Sequence, residues 1–315
     1  MKRFLTKTFL FILVSIASLC GLYFLGNSIV RKKADFKFDR SVTSVIIGHS
    51  HPECAFDDSI IPNFKNCSYS GESYFYGLPK MKNILSQNPQ IKTVFIEFTD
   101  NHLEKKVMND GIWGESHMLN FYPTYSPFIE AADAELLLQK SDRNFLLASS
   151  ISIKEQFLKI FSSNYNFRKY GRYLYLERDK TDSLVAQQQR SLANKPKEII
   201  NNNIDSNYNI GYLTRIINLC AEKGIKTYLV RSPQHKAYRD QKNEAEFEAA
   251  RLKLFPEIEF LDFNNYPCLN SEFGDLEHLN YRGARKFSTW VNNLINDGLL
   301  MAANKQEFIN SRMPQ

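Results

Sequence analysis

Serine is a weak nucleophile until a base takes its proton, and that base needs a third group to hold its tautomer. The sequence carries the parts of such an arrangement at two distant places. Ser50 sits in Gly48-His49-Ser50-His51-Pro52, directly after the apolar, β-branched run 42–47. Asp275-Leu276-Glu277-His278 sets a carboxylate and an imidazole at i and i+3. In a turn these positions come close, so Asp275 can take the Nδ1–H of His278 and leave Nε2 to face the serine. General acid–base help of this kind is worth about 10²–10⁴-fold in rate. Gly48, on the strand side of Ser50, permits the sharp turn that lifts a hydroxyl above a sheet edge.

Acyl chemistry also needs donors where negative charge develops on the carbonyl oxygen. The backbone N–H at Ser50, the N–H of Gly71 and the side-chain amide of Asn101 are the candidates, and losing one such donor costs about 10²–10³ in turnover. His49 and His51 flank the serine and read as pocket residues, as do Arg231 and His235 around Ser232-Pro233. His-x-His can also bind zinc, but no second paired motif supplies the further ligands such a site needs. No metal and no cofactor is therefore expected. Glu97 reads as support for local packing or a hydrogen bond rather than as a catalytic group.

These residues are useful only if their loops converge. Five short apolar runs bounded by Gly, Pro or polar residues read as strands at 42–47, 64–68, 92–98, 225–230 and 258–263. Helical spacing covers 72–87, 209–223, 236–254 and 282–297, with Gly224 as a C-cap. Strands alternating with helices predict an α/β domain with a mostly parallel sheet covered on both faces. Ligands then bind beyond the carboxyl ends of the strands. Ser50, Gly71 and Asn101 follow the first three strands, and Asp275 and His278 follow the last.

The segment 102–205 interrupts this rhythm and reads as a helical insertion, with helices near 129–140 and 144–161. Its Trp113, Tyr122 and Tyr125 read as core before they read as a sugar-stacking platform. Arg168, Lys169 and Arg172, among Tyr165, Tyr170 and Tyr173, read as a solvated face, with contact to lipid head groups or an acidic polymer as the alternative.

Gly48-His49-Ser50, Gly71, Asn101 and Asp275-x-x-His278, followed by Leu279-Asn280-x-x-Gly283-Ala284, resemble the four blocks of the SGNH/GDSL hydrolases. The matches come in that family's order and span 42–297. The last block is the most specific. His49 stands where the family usually has Asp, and the usual Gly-x-Asn-Asp appears as Thr99-Asp100-Asn101-His102. The resemblance implies a flavodoxin-like three-layer α/β/α fold and acyl-serine chemistry.

One anchor plus such a domain also resembles accessory proteins of envelope acylation. Examples are the D-alanyl-transfer protein of teichoic acids and the O-acetyl-transfer proteins of exopolysaccharides. That implies an acylated glycan or other small ester as substrate and a membrane-bound O-acyltransferase as partner. The chemistry would be that of an ester hydrolase or an O-acyltransferase. A non-catalytic scaffold that binds glycan or the acyltransferase is the competing class, and a metallohydrolase is a third.

The anchor is read from the first thirty residues. Lys2, Arg3 and Lys7 precede the uncharged stretch 8–30, and Arg31-Lys32-Lys33 closes it. Those 23 residues would rise about 34 Å as a helix, enough for a hydrocarbon core of ~30 Å. A secretory apolar region is shorter, about 7–15 residues, so an uncleaved single-pass anchor is expected. Positive charge flanks both ends and does not orient it; an extracytoplasmic domain follows from the overall type.

The expected organisation is an anchor at 1–33, a linker at 34–41, an SGNH-like domain at 42–300 and a tail at 301–315. The net charge of +6 comes from 40 basic and 34 acidic residues spread along the chain, so nucleic acid is not a partner. Cys54, Cys67, Cys220 and Cys268 show no C-x-x-C spacing, and three pairings are open to them. Cys220 lies in a helical apolar pattern and reads as a buried thiol.

Overall fold

A computed structural model describes residues 1–167, 171–178, 180–192, 208–239 and 243–314. Arg168 and Lys169, from the basic aromatic stretch, lie outside the described residues. The chain divides into two compact units, one of residues 1–36 and 110–167 and the other of residues 37–109 and 168–315.

The second unit is built on five parallel strands, β1 (Ser44–Ile47), β2 (Phe64–Asn66), β3 (Thr93–Glu97), β4 (Lys226–Arg231) and β5 (Phe260–Asp262). Their order across the sheet is β2-β1-β3-β4-β5. Each expected strand forms within two residues of its expected start, because a run buried on both faces has to be apolar throughout. Register places Ile46 beside Phe95 and Phe95 beside Tyr228. This row shares one sheet face with Val230 and Leu261, and the helix Tyr281–Asn296 covers it with Ala284, Phe287, Val291 and Leu294. Val45, Ile47, Val94, Ile96 and Leu229 alternate onto the other face and are equally buried. The helices Tyr74–Gln87 and Tyr208–Glu222 pack against each other.

Three expected boundaries shift. The 236–254 helix forms as two pieces, Lys236–Arg239 and Glu244–Leu254, the second capped by Asn243. The helical insertion ends earlier than expected, because the described part of 171–192 belongs to the sheet-containing unit. There Leu174 N–H donates to Glu53 O at 2.7 Å and Tyr281 N–H to Leu176 O at 2.9 Å. The stretch expected as a tail carries the helix Lys305–Ser311, with Ile309 fully buried in the sheet-face core. Gln306 from that helix exchanges hydrogen bonds with the backbone of Asp262 in β5, at 2.9 and 3.0 Å. It thereby covers an otherwise open strand edge, which exposed backbone groups leave prone to pairing.

The first unit is helical. The 32-residue helix Lys2–Lys33 is apolar and long enough to cross a membrane. It packs with Glu115–Tyr125 and Asp142–Ser162, joined by a hydrogen bond between the Tyr23 and Tyr122 hydroxyls at 2.7 Å. Tyr122 and Tyr125 are buried core residues. Residues 34–41 are not a free linker throughout, since Phe36 is buried between Phe128 and Phe167. All five cysteines are free thiols, with Cys220 buried.

Candidate active site

Ser50 opens the short helix Ser50–Ala55 directly after β1. The strand-to-helix turn is tight because β3 approaches it closely. A Cβ at position 48 would stand 2.4 Å from Glu97 Oε2 and 2.7 Å from Pro52 Cγ, so only glycine fits there. Glu97 fills that space and accepts the His49 backbone N–H at 2.8 Å.

The loop after β5 brings the other half of the arrangement. Asp275 Oδ1 accepts the backbone N–H of Glu277 at 3.0 Å and of His278 at 2.9 Å, which closes the turn on itself. The same oxygen lies 2.7 Å from His278 Nδ1, and His278 Nε2 lies 2.6 Å from Ser50 Oγ. Burial pushes the Asp275 carboxyl up, but its hydrogen bond from His278, helped by the Glu277 N–H and Arg178, outweighs this and holds it below its ordinary value. Arg178 reaches the second Asp275 oxygen at 3.3 Å. The Leu279-Asn280-x-x-Gly283 segment fastens the loop to the next helix. Asn280 caps Tyr281–Asn296 by accepting from Arg282 N and Gly283 N. A Cβ on Gly283 would meet Glu272 O at 2.3 Å.

The three oxyanion candidates reach this end of the sheet by different routes. Ser50 offers its backbone N–H in the first turn of its helix, where such groups have no intrahelical partner. Gly71 has φ 74° in the loop after β2. That loop is tied to the serine segment by Tyr69 N–H on Gly48 O at 3.0 Å and by Ser70 N–H on Glu53 Oε2 at 2.8 Å. Asn101 lies in the 3-10 turn Asp100–Leu103, and its Oδ1 accepts from the Tyr238 hydroxyl at 3.0 Å. The same hydroxyl hydrogen-bonds Glu277.

The four pocket candidates divide evenly. His49 and His51 lie at the site. Arg231 does not face Ser50: its buried guanidinium grips Asp262 and Glu244, with the Glu244 contacts at 2.7 and 2.9 Å. Two carboxylates within reach of an otherwise buried cation decide its direction. His235 is equally committed, to Asn270 Oδ1 at 2.9 Å and to the Ala237 N–H at 3.1 Å. Its backbone N–H donates to Leu276 O, so it supports the 275–278 turn from behind.

A buried polar cluster behind Ser50 gathers Glu97, expected as a packing or hydrogen-bonding support, with His49 and His51; the sequence reading missed that His102 joins them and that Glu97 is their common partner. Glu97, fully buried, lies 2.8 Å from His51 Nδ1, and His51 Nε2 lies 3.4 Å from Glu277 Oε2. Burial disfavours charge on both His51 and Glu97, yet Glu97 and Glu277 raise the histidine, and the histidines around Glu97, His49 before His51, lower the carboxylate. His51 thus stands between Glu97 of β3 and Glu277 of the 275–278 turn, and these two carboxylates hold its imidazole above its ordinary value against the effect of burial. His49 and His102 go the other way, pushed by burial down to about 3 and about 4. His102 Nδ1 accepts the Thr99 N–H at 3.0 Å, which assigns its proton to Nε2. The signal for this cluster was a glutamate inside a continuous apolar strand, since a buried charge demands a partner.

His49, Glu97 and His102 also bring donor atoms within 4.8 Å of one another, a spacing open to a divalent cation. Two features favour a structural stack instead. The His49 and His102 rings are stacked at 4.8 Å, and Tyr74 is also stacked on His102 at 4.9 Å. Glu97 Oε2 is already engaged by the His49 N–H.

The chain belongs to an uncharacterised family whose model matches residues 139–300, just over half of its length. The match takes in Asp275 and His278 but stops short of Ser50. No curated protein matches the sequence.

Proposed function

We propose that this chain is an SGNH-type serine hydrolase or O-acyltransferase, anchored in a membrane by its N-terminal helix with the sheet domain extracytoplasmic. The observation that carries the reading is the continuous hydrogen-bonded relay from Asp275 through His278 to Ser50. The strand order β2-β1-β3-β4-β5 supports a flavodoxin-like three-layer architecture, in which sites form where the chain reverses direction across the sheet, here between β1 and β3.

In this mechanism Ser50 Oγ attacks the carbonyl carbon of an acyl ester while His278 Nε2 takes the hydroxyl proton. Asp275 holds the resulting imidazolium without itself becoming protonated. The Ser50 N–H, the Gly71 N–H and the Asn101 amide receive the oxyanion. His278 then returns the proton to the departing alkoxide, which leaves acyl-Ser50. Water, deprotonated by His278, releases the acid; a sugar hydroxyl in its place yields a new ester. The substrate class is a short acyl ester on an envelope or secreted polysaccharide, and the partner is a membrane-bound O-acyltransferase.

Fluorophosphonate labelling of the wild type beside Ser50→Ala tests the reading. Labelling that disappears with the substitution supports it, and an unlabelled, folded wild type sinks it.

A further inference from the structure

Helix Asp142–Ser162 buries small and polar residues while it exposes large apolar ones. Its buried stripe is Ala148, Ser152 and Gln156. Gln156 donates to Pro123 O at 2.5 Å, and its Cβ lies 3.2 Å from where a Cβ on Gly26 would sit. Beside this contact Ser126 Oγ donates to Asn27 Oδ1 at 3.0 Å. The exposed residues are Leu146 (64%), Leu147 (40%), Leu158 (53%) and Phe161 (82%). At about 100° per residue these four fall within an arc of about 120°, diametrically opposite the buried stripe.

The N-terminal helix shares the tendency, with Gly26 and Asn27 buried alongside Val30 while Phe24 and Leu25 are exposed. Water drives leucine and phenylalanine inward. In lipid nothing separates them from their surroundings, so helices meet through small and hydrogen-bonding residues instead. Arg143 and Lys154, both exposed, share the apolar arc, and the arc holds no carboxylate. Long cationic chains on such a face extend their heads to anionic lipid phosphates.

We propose that helix Asp142–Ser162 lies in lipid beside the anchor, with its Leu146–Phe161 stripe against the acyl chains of an anionic bilayer. This rests on the membrane-anchor reading. Gly26 meets Gln156, and Asp35 N–H donates to Tyr165 O at 2.8 Å, so the two helices run parallel. The uncharged residues 8–30 would rise about 34 Å, enough for the ~30 Å core. In the register set by Gly26 and Gln156 the Val30 end of the anchor is level with Ile160, so this level sits at one bilayer boundary, and Leu146 points toward greater depth than Phe161.

The test uses the full-length chain in phosphatidylcholine–phosphatidylglycerol vesicles, with Leu146→Trp, Phe161→Trp and, in the anchor, Phe11→Trp. Emission is read as the difference from the wild type, whose Trp113 and Trp290 supply the background. The expected result is blue-shifted emission at all three positions, quenched by brominated acyl chains and shielded from aqueous acrylamide. Deeply placed bromines should quench position 146 more than 161. Acrylamide quenching at 146 and 161, with lipid quenching retained at 11, overturns the inference and leaves the anchor standing. Shielding at 146 and 161 from both quenchers assigns the stripe to a second copy of the chain and also overturns it. Loss of lipid quenching at position 11 removes the anchor and this inference together.

Discussion

Ser50 Oγ lies 2.6 Å from His278 Nε2 although 228 positions separate the two residues. A contact this short across that separation requires the loops after β1 and β5, which have β3 and β4 between them in the sheet, to fold over the same edge. The 275–278 turn crosses that gap because the Asp275 carboxylate closes it and His51 and Glu277 tie it back toward β3.

Asp275→Asn tests the tautomer. An amide cannot favour the Nδ1–H form of His278 as a carboxylate does. Turnover of an acyl ester should fall about 10³–10⁴-fold, with Ser50 still present and the protein folded. Unchanged kcat would show that the relay is not used.

Asn101→Ala should lower kcat about 10²–10³-fold with little effect on KM, because an oxyanion donor acts in the transition state. Tyr238→Phe, which releases the Asn101 and Glu277 contacts, should move kcat the same way by less. If Asn101→Ala turns over at the wild-type rate, the amide is not a donor.

Gly48→Ala should be poorly tolerated. The added Cβ collides with Glu97 and Pro52, and such overpacking costs about 1–3 kcal/mol. The urea midpoint should drop and fluorophosphonate labelling should be lost, since the strand-to-helix turn carries Ser50.

Stability should fall on the acid side of neutrality. His49 and His102 have folded-state values of about 3 and about 4, below the ordinary 6.5. As pH drops below that value the unfolded chain takes up protons that the folded one refuses. Each histidine then costs about 2 kcal/mol at pH 5, at ~1.36 kcal/mol per pH unit. His51 is shifted upward, so its contribution is complete throughout this range and is lost only as pH rises toward its folded value. Denaturant midpoints measured at descending pH should show His102→Gln with about half the wild-type slope; an equal slope would mean that His102 is charged in the fold.

Much of the fold was legible because its signals are local. The five strands and the helices flanking them followed from apolar runs and helical spacing, each set by its own neighbours in the chain. Boundaries drifted where tertiary contacts took over. Residues 301–315 look polar enough for a tail, yet Ile309 and Gln306 are held by the core and by the β5 edge. The same holds in the site. Ser50, Asp275 and His278 stand out by residue type and spacing, whereas Arg231 was assigned to the pocket from its strand end alone. Its direction depended on Glu244 and Asp262, which no spacing connects to it.

The amino-acid sequence by itself determined which segments become strands, where the turns must bend, and that a serine, an aspartate and a histidine would stand at strand ends. Tertiary structure alone decided that these three touch, that Glu97 gathers His49 and His51 behind them, and that Arg231 turns away. The physical reason is range. Periodicity and turn chemistry act over a few residues, while the direction of a buried side chain is set by whichever charge or cavity the folded chain brings beside it.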